Sequence, residues 1–240
     1  AAKQLAERTL YQKLLGAASN NTTEDITLLI DRSAECSEYE DQMQTVVREI
    51  SAAMAGKGTL RIVCAGKVPA AEYTGNPKAA ENFTVATLKT PYASDVPLDL
   101  ALRLAANDLI NAEKKRAVIL VTAGHSTQNA FTKYGLAETA AYLNNNSIPL
   151  AAIMLTQNAA DENITYLCTS TEGKQYYVFR PEGLKPVLED LLNLPVGLYQ
   201  LSYVSSLGTK FGEAYLPVEA ETYLMNRSGR DESGYFAPLQ

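Results

Sequence analysis

Asp31, Ser33 and Glu35 alternate along one short loop, in the stretch D-I-T-L-L-I-D-R-S-A-E-C from Asp25 to Cys36. Hard oxygen donors at such spacing could coordinate a cation such as Mg²⁺. Asp31 could instead accept N–H bonds from its own loop and hold that loop in shape, a role that needs no ion. Asp95 and the single histidine, His125, fall in later loops expected at the same rim. With Glu35 they could form a carboxylate-rich or His-containing pocket for a divalent cation. A lone His in such a loop is more often a surface residue, and Asp95 before Val-Pro also reads as a turn or cap residue.

The position of the loop gives it interest. Ile26–Ile30 is a short apolar run ending abruptly in Asp31, as a buried parallel strand does. Open α/β sheets bind ligands just beyond the carboxyl ends of their strands.

Other chemistries have less support. G-H-S-T-Q lacks the flanking glycine of a nucleophile elbow, and the sole His has no evident triad partner. Gly56-Lys57-Gly58 lies between a helix and a strand, the wrong side for a phosphate cradle, and reads as a turn. No enzyme is expected. Cys36, Cys64 and Cys168 lack metal-type spacing and read most simply as small buried hydrophobes. A Cys36–Cys64 disulfide is conceivable if their strands are neighbours.

The 240 residues suit one large domain, or one domain with an appendage. A net charge of −6 and a pI near 5.0 argue against nucleic-acid partners. No apolar run reaches the roughly 20 residues of a membrane span. No signal peptide is expected, since Ala1 opens into a polar helical pattern. Asn-X-Ser/Thr triplets at Asn20, Asn21, Asn82, Asn145, Asn163 and Asn226 outnumber the compositional expectation and favour an extracytoplasmic, secreted or surface context.

A helix over 3–15 and a linker make up the lead, 1–22. Strands are expected at 25–30, 59–65, 82–88 and 117–124, and at the runs I-P-L-A-A-I-M-L and Q-Y-Y-V-F. Helices are expected over 38–54 (capped by Ser37), 98–112, 129–144 and 161–168, and at L-K-P-V-L-E-D-L-L. The Gly- and Pro-containing stretch 66–81 reads as an exposed loop. This alternation predicts an α/β doubly wound, mostly parallel sheet with helices on both faces over 23–195. Beyond it, 196–240 reads as an antiparallel β appendage in which G-L-Y-Q-L-S-Y-V pairs with E-A-Y-L-P-V-E-A-E-T-Y-L, followed by a turn-rich end, R-S-G-R-D-E-S-G-Y-F-A-P.

D-I-T-L-L-I-D-R-S-A-E, A-L-R-L-A-A-N-D-L, R-A-V-I-L-V-T-A-G and the pair Y-Y-V-F-R-P with L-K-P-V-L-E-D-L-L resemble the von Willebrand factor A domain family over about 24–193. The appendage looks like the β extension of some bacterial members. The resemblance implies an adhesion or assembly module with a metal-ion-dependent adhesion site on three loops. The first loop has the form Asp-X-Ser-X-Ser, the second supplies Thr, and the third supplies Asp before Gly. Asp31 and Ser33 match the first loop, but Glu35 stands at its second Ser, Val96 at the Thr and Ala123 at the Asp before Gly124.

The expectation is therefore a degenerate site without a cofactor, Mg²⁺ or another divalent cation being the alternative. The module would bind a protein partner at the rim made by 31–37, 91–97 and 123–129. The chain has fourteen tyrosines and no tryptophan, and exposed Tyr suits interfaces. Candidate partner-binding residues are Glu35, Tyr73, Tyr92, Asp95 and His125, with Tyr134 near the same helices. The alternatives are a metal-dependent adhesin with a rearranged site, or a domain that only spaces and presents its neighbours. Oligomeric state is left open.

Overall fold

The computed structural model describes residues 24–110, 112, 115–193, 215–224 and 227–236. The chain divides into two compact units, Ala1–Tyr199 and Gln200–Gln240.

The first unit is built on a six-stranded sheet of order β3-β2-β1-β4-β5-β6. Its strands are β1 (Glu24–Asp31), β2 (Thr59–Ala65), β3 (Ala70–Gly75), β4 (Lys115–Thr122), β5 (Leu150–Met154) and β6 (Gln175–Tyr177). All neighbours are parallel except the antiparallel β2–β3 edge pair. The helices are α1 (Glu40–Ala53), the single turn α2 (Pro77–Ala80), α3 (Leu98–Asn107), α4 (Leu136–Asn145), α5 (Glu162–Ser170) and α6 (Lys185–Asn193).

Residues alternate across the sheet and build a core on each side. Ile26, Leu28, Ile30, Ile119 and Val121 pack with Met43, Val47 and Ile50 of α1 and Val187 and Leu188 of α6. Leu29, Val118 and Leu120 face Leu102, Ala105 and Leu109 on the α3 side, with Leu143, Ile164 and Leu167. Each such Leu or Ile, fully buried, contributes roughly 1.5–3 kcal/mol. The central strands β1 and β4 are buried on both faces, which is why they read as unbroken apolar runs.

The expected strand at 82–88 does not form. The edge strand is β3, inside the stretch read as a loop, while 82–88 carries only the 3-10 turn Val85–Thr87. A chain returning through residues 66–69 reaches the edge of β2 with little loop-closure cost and pairs there antiparallel. Val85 is buried, with its N–H donated to Gln44 Oε1 at 2.8 Å. Ser37 does not cap the first helix. A 3-10 turn, Ala34–Tyr39, precedes α1, and Ser37 Oγ donates to the Ala34 carbonyl at 2.7 Å. Helix α3 stops five residues early, at Asn107, and Arg116 Nη1 donates to the carbonyls of Leu109, Ile110 and Ala112 beyond it. Helix α4 starts at Leu136 rather than 129 because the preceding backbone is held by Asp99. Cys36, Cys64 and Cys168 are free and buried, so no Cys36–Cys64 disulfide joins loop to strand.

In the second unit β7 (Tyr215–Leu224) pairs antiparallel with β8 (Arg227–Phe236). The segment read as turn-rich is thus a strand. Arg230 pairs with Glu219, diagonally across on β7, and with Glu232 two residues on, and Gly234 leaves room for the Tyr215 ring, where a Cβ would lie 2.4 Å from Cζ. The expected strand 197–204 and helix 3–15 lie outside the described residues.

Candidate functional site

Three loops leave the carboxyl ends of β1 and β4 and the start of α3, and they meet over Asp31. This last residue of β1 is buried. Its Oδ1 accepts the Ser33 N–H at 2.8 Å, and its Oδ2 accepts the Thr122 hydroxyl at 2.8 Å. Burial raises the Asp31 carboxyl above its ordinary range, while the bonds from Thr122, Ser33 and the Cys36 thiol oppose that rise. Thr122 Oγ1 also accepts the Gly124 N–H at 3.1 Å, so one side chain serves both Asp31 and the third loop.

The fully buried Cys36 joins the same cluster. Ser33 Oγ donates to its sulfur at 3.3 Å, and so does the Ala123 N–H, also at 3.3 Å. Burial, then the nearby Asp31 charge, raise the Cys36 thiol far above its ordinary value. The second loop is attached through backbone and side chains. Ala93 N–H donates to the Arg32 carbonyl and Ala34 N–H to the Ala93 carbonyl, both at 2.8 Å. Arg32, itself buried, donates from Nε to the Thr90 carbonyl at 3.0 Å and lays its guanidinium 3.6 Å from the Tyr92 ring centroid. Tyr92 donates its hydroxyl to Glu40 at 2.9 Å.

Val96 and Ala123, which the resemblance sets against the family's Thr and Asp, are buried. Thr127 holds both backbone polar groups of Val96. Its Oγ1 accepts the Val96 N–H and donates to the Val96 carbonyl, each at 3.0 Å. Asp161, the N-cap of α5, takes the Ser126 N–H and hydroxyl on Oδ2, both at 2.6 Å. Asp99, fully buried, accepts N–H bonds from Leu100 on one oxygen and from Lys133 and Tyr134 on the other.

Of the residues singled out from sequence, Asp31 and Ser33 form the floor. Glu35 and His125 are brought together across the first and third loops, with Oε1 and Nδ1 2.8 Å apart and both side chains about half exposed. Asp95 is exposed but engages Asn129, whose Nδ2 donates to its Oδ2 at 3.0 Å, rather than Glu35 or His125. Tyr92 is half-buried beneath Arg32. Tyr73 lies on β3 beside Ile62, its ring centroid 5.6 Å from that of Phe83. Tyr134 stacks under Arg103 at 3.6 Å. Cys36, Thr122, Thr127, Asp99 and Asp161 carried no motif that would have singled them out as site residues.

The donor set does not fit Mg²⁺, which requires near-octahedral oxygen ligands. Both Asp31 oxygens accept protein hydrogen bonds, Ser33 Oγ is directed to sulfur, and Val96 and Ala123 offer no side-chain donor atom. Among the described residues no cluster of three or more His, Cys, Asp or Glu is placed to hold an ion. A cavity of about 10 Å³, room for about one water, lies between Asp31, Val96, Thr122, His125 and Thr127.

The sequence matches no protein-family model and no curated protein. The chain does match solved structures. A von Willebrand factor type A protein from Catenulispora acidiphila matches with a TM-score of 0.53 and 12% identity, over 89% of this chain and 55% of that one. This domain has the von Willebrand factor A fold. Proximal thread matrix protein 1 from the mussel byssus matches at TM-score 0.54 and 14% identity, over 72% of this chain and 47% of that one. An aerotolerance-related membrane protein from Bacteroides fragilis, crystallised with multiple mutations to serine, matches at 0.51 and 12%, over 70% and 98%. The chain thus spans about half the length of the first two proteins. Within this von Willebrand factor A fold, the loops just described occupy the carboxyl-terminal rim of the sheet, where open α/β folds place their ligands. No helix among the described residues is long and apolar enough to cross a membrane.

Proposed function

We propose that this domain is a non-catalytic protein-binding module, for adhesion or assembly within a larger secreted or surface protein. It recognises its partner at the sheet's carboxyl-terminal rim without a bridging Mg²⁺. The observation that carries this reading is the contrast between floor and rim. Asp31, Ser33, Val96 and Ala123 are buried and hydrogen-bonded or apolar, while Glu35, Ser94, Asp95, His125, Gln128 and Asn129 stand exposed above them. A partner therefore meets a polar surface of fixed shape, and recognition rests on shape and hydrogen-bond complementarity. The fold is an associational warrant for such a role. An extracytoplasmic location is supported by the Asn-X-Ser/Thr triplets and by the membrane protein among the structural relatives.

Site-specific photo-crosslinking on the cells of origin tests the reading. A photo-reactive residue at Ser94 or Glu35, on the rim, is compared with one at exposed Asn145, at the end of α4. The reading expects one protein adduct from the rim positions, equally strong in EDTA and in Mg²⁺, and none from Asn145. Equal capture at Asn145, or rim capture lost in EDTA, contradicts it.

A further inference from the structure

An ion coordinated by three loops holds those loops together as well as presenting a ligand site. The metal-free reading proposed above leaves that mechanical task to the protein. Cys36 Sγ touches both sides of the junction, accepting from Ser33 Oγ in its own loop and from the Ala123 N–H in the third. Thr122 bonds Asp31 in the first strand and Gly124 in the third loop. Thr127 bonds both backbone polar atoms of Val96 in the second. The Cys36–Ala123 and Thr127–Val96 contacts cross from one loop to another, and Thr122 ties the two strand ends to the third loop.

We infer that Cys36 is the positioning residue of this rim: its thiol latches the first loop to the third, and with Thr122 and Thr127 sets the rim's shape before any partner or cation is present. The inference rests on the metal-free reading but concerns a different property, the rigidity of the unliganded rim. Sulfur suits this role because a large, polarisable atom reaches two donors from a short side chain. Being fully buried, the thiol is also protected from oxidation, so the latch does not depend on redox conditions.

Backbone amide hydrogen exchange on the whole chain tests this directly. In the wild-type protein the Ala123 amide is expected to be protected equally in EDTA and in Mg²⁺. In Cys36→Ala it exchanges at least tenfold faster, while the amides of Leu28 and Ile119 in the central strands keep their rates. Cys36→Ser, which retains a hydrogen-bonding group, falls between. Unchanged Ala123 exchange in Cys36→Ala overturns the latch, as does a speed-up shared by the central strands. Protection that appears only with Mg²⁺ in the wild-type protein overturns it without any variant. If rim crosslinking survives EDTA while Ala123 is indifferent to Cys36, the binding reading stands and the latch falls. If Ala123 behaves as expected but no rim adduct forms, the reverse holds.

Discussion

Thr122 and Asp31 end neighbouring central strands, and the Thr122 hydroxyl donates to Asp31 Oδ2 across 2.8 Å. Its other oxygen accepts the Ser33 N–H at 2.8 Å, so the protein engages both oxygens of a residue with the chemistry of a metal ligand.

Asp31 should leave a signature in the pH dependence of stability. Its carboxyl is raised above 3.8 by burial, the opposing hydrogen bonds notwithstanding. Folding therefore favours the protonated form. That contribution is complete below the unfolded value and is lost as pH rises through the raised folded value. Asp31→Asn removes this slope and retains an acceptor for Ser33 and a group that can meet Thr122. The wild type should lose stability relative to Asp31→Asn as pH rises from 3.8 through the raised folded value, read from denaturant midpoints. Asp31→Ala, which strands the Ser33 N–H, should be about 1–3 kcal/mol less stable than Asp31→Asn.

Arg32→Lys tests how the second loop is held. An ammonium cannot both lie flat on Tyr92 and donate from the Nε position to Thr90. The expected loss is about 1–3 kcal/mol in urea unfolding, with faster limited proteolysis within 88–95 than in wild type. Unchanged cleavage there would remove Arg32 from the account of that loop.

Asp99→Ala should be among the more damaging single changes. It leaves the Lys133 and Tyr134 N–H groups without their acceptor beside a fully buried position. Hydrogen bonds to charged groups contribute about 1.5–3 kcal/mol each, so a loss of at least about 2 kcal/mol is expected by urea titration. Asp99→Asn, which keeps an acceptor, should recover part of it.

The sheet was readable because its central strands announce themselves. Ile26–Ile30 and the apolar part of β4 are buried on both faces and carry no competing pattern. The edge was not readable, since A-A-E-Y-T-G has weak strand character and forms β3 only because β2 has a free edge one tight turn away. N-F-T-V-A-T-L has better local character and no partner. Likewise R-S-G-R-D-E-S-G-Y-F is rich in turn formers, yet it pairs with β7 over its whole length. At the site, the polar loop after β1 was legible by position. The contacts that tie it to the other loops were not. Cys36, Thr122 and Thr127 act through contacts at sequence separations of 87, 91 and 31, and ordinary residue types at such separations leave no local pattern.

Isothermal titration of the whole chain with Mg²⁺, repeated with Mn²⁺ and Ca²⁺, tests the central claim most directly. The metal-free reading predicts only heats of dilution, for wild type and Asp31→Ala alike. A saturable isotherm in the wild type that disappears in Asp31→Ala would contradict the account and restore a rearranged cation site.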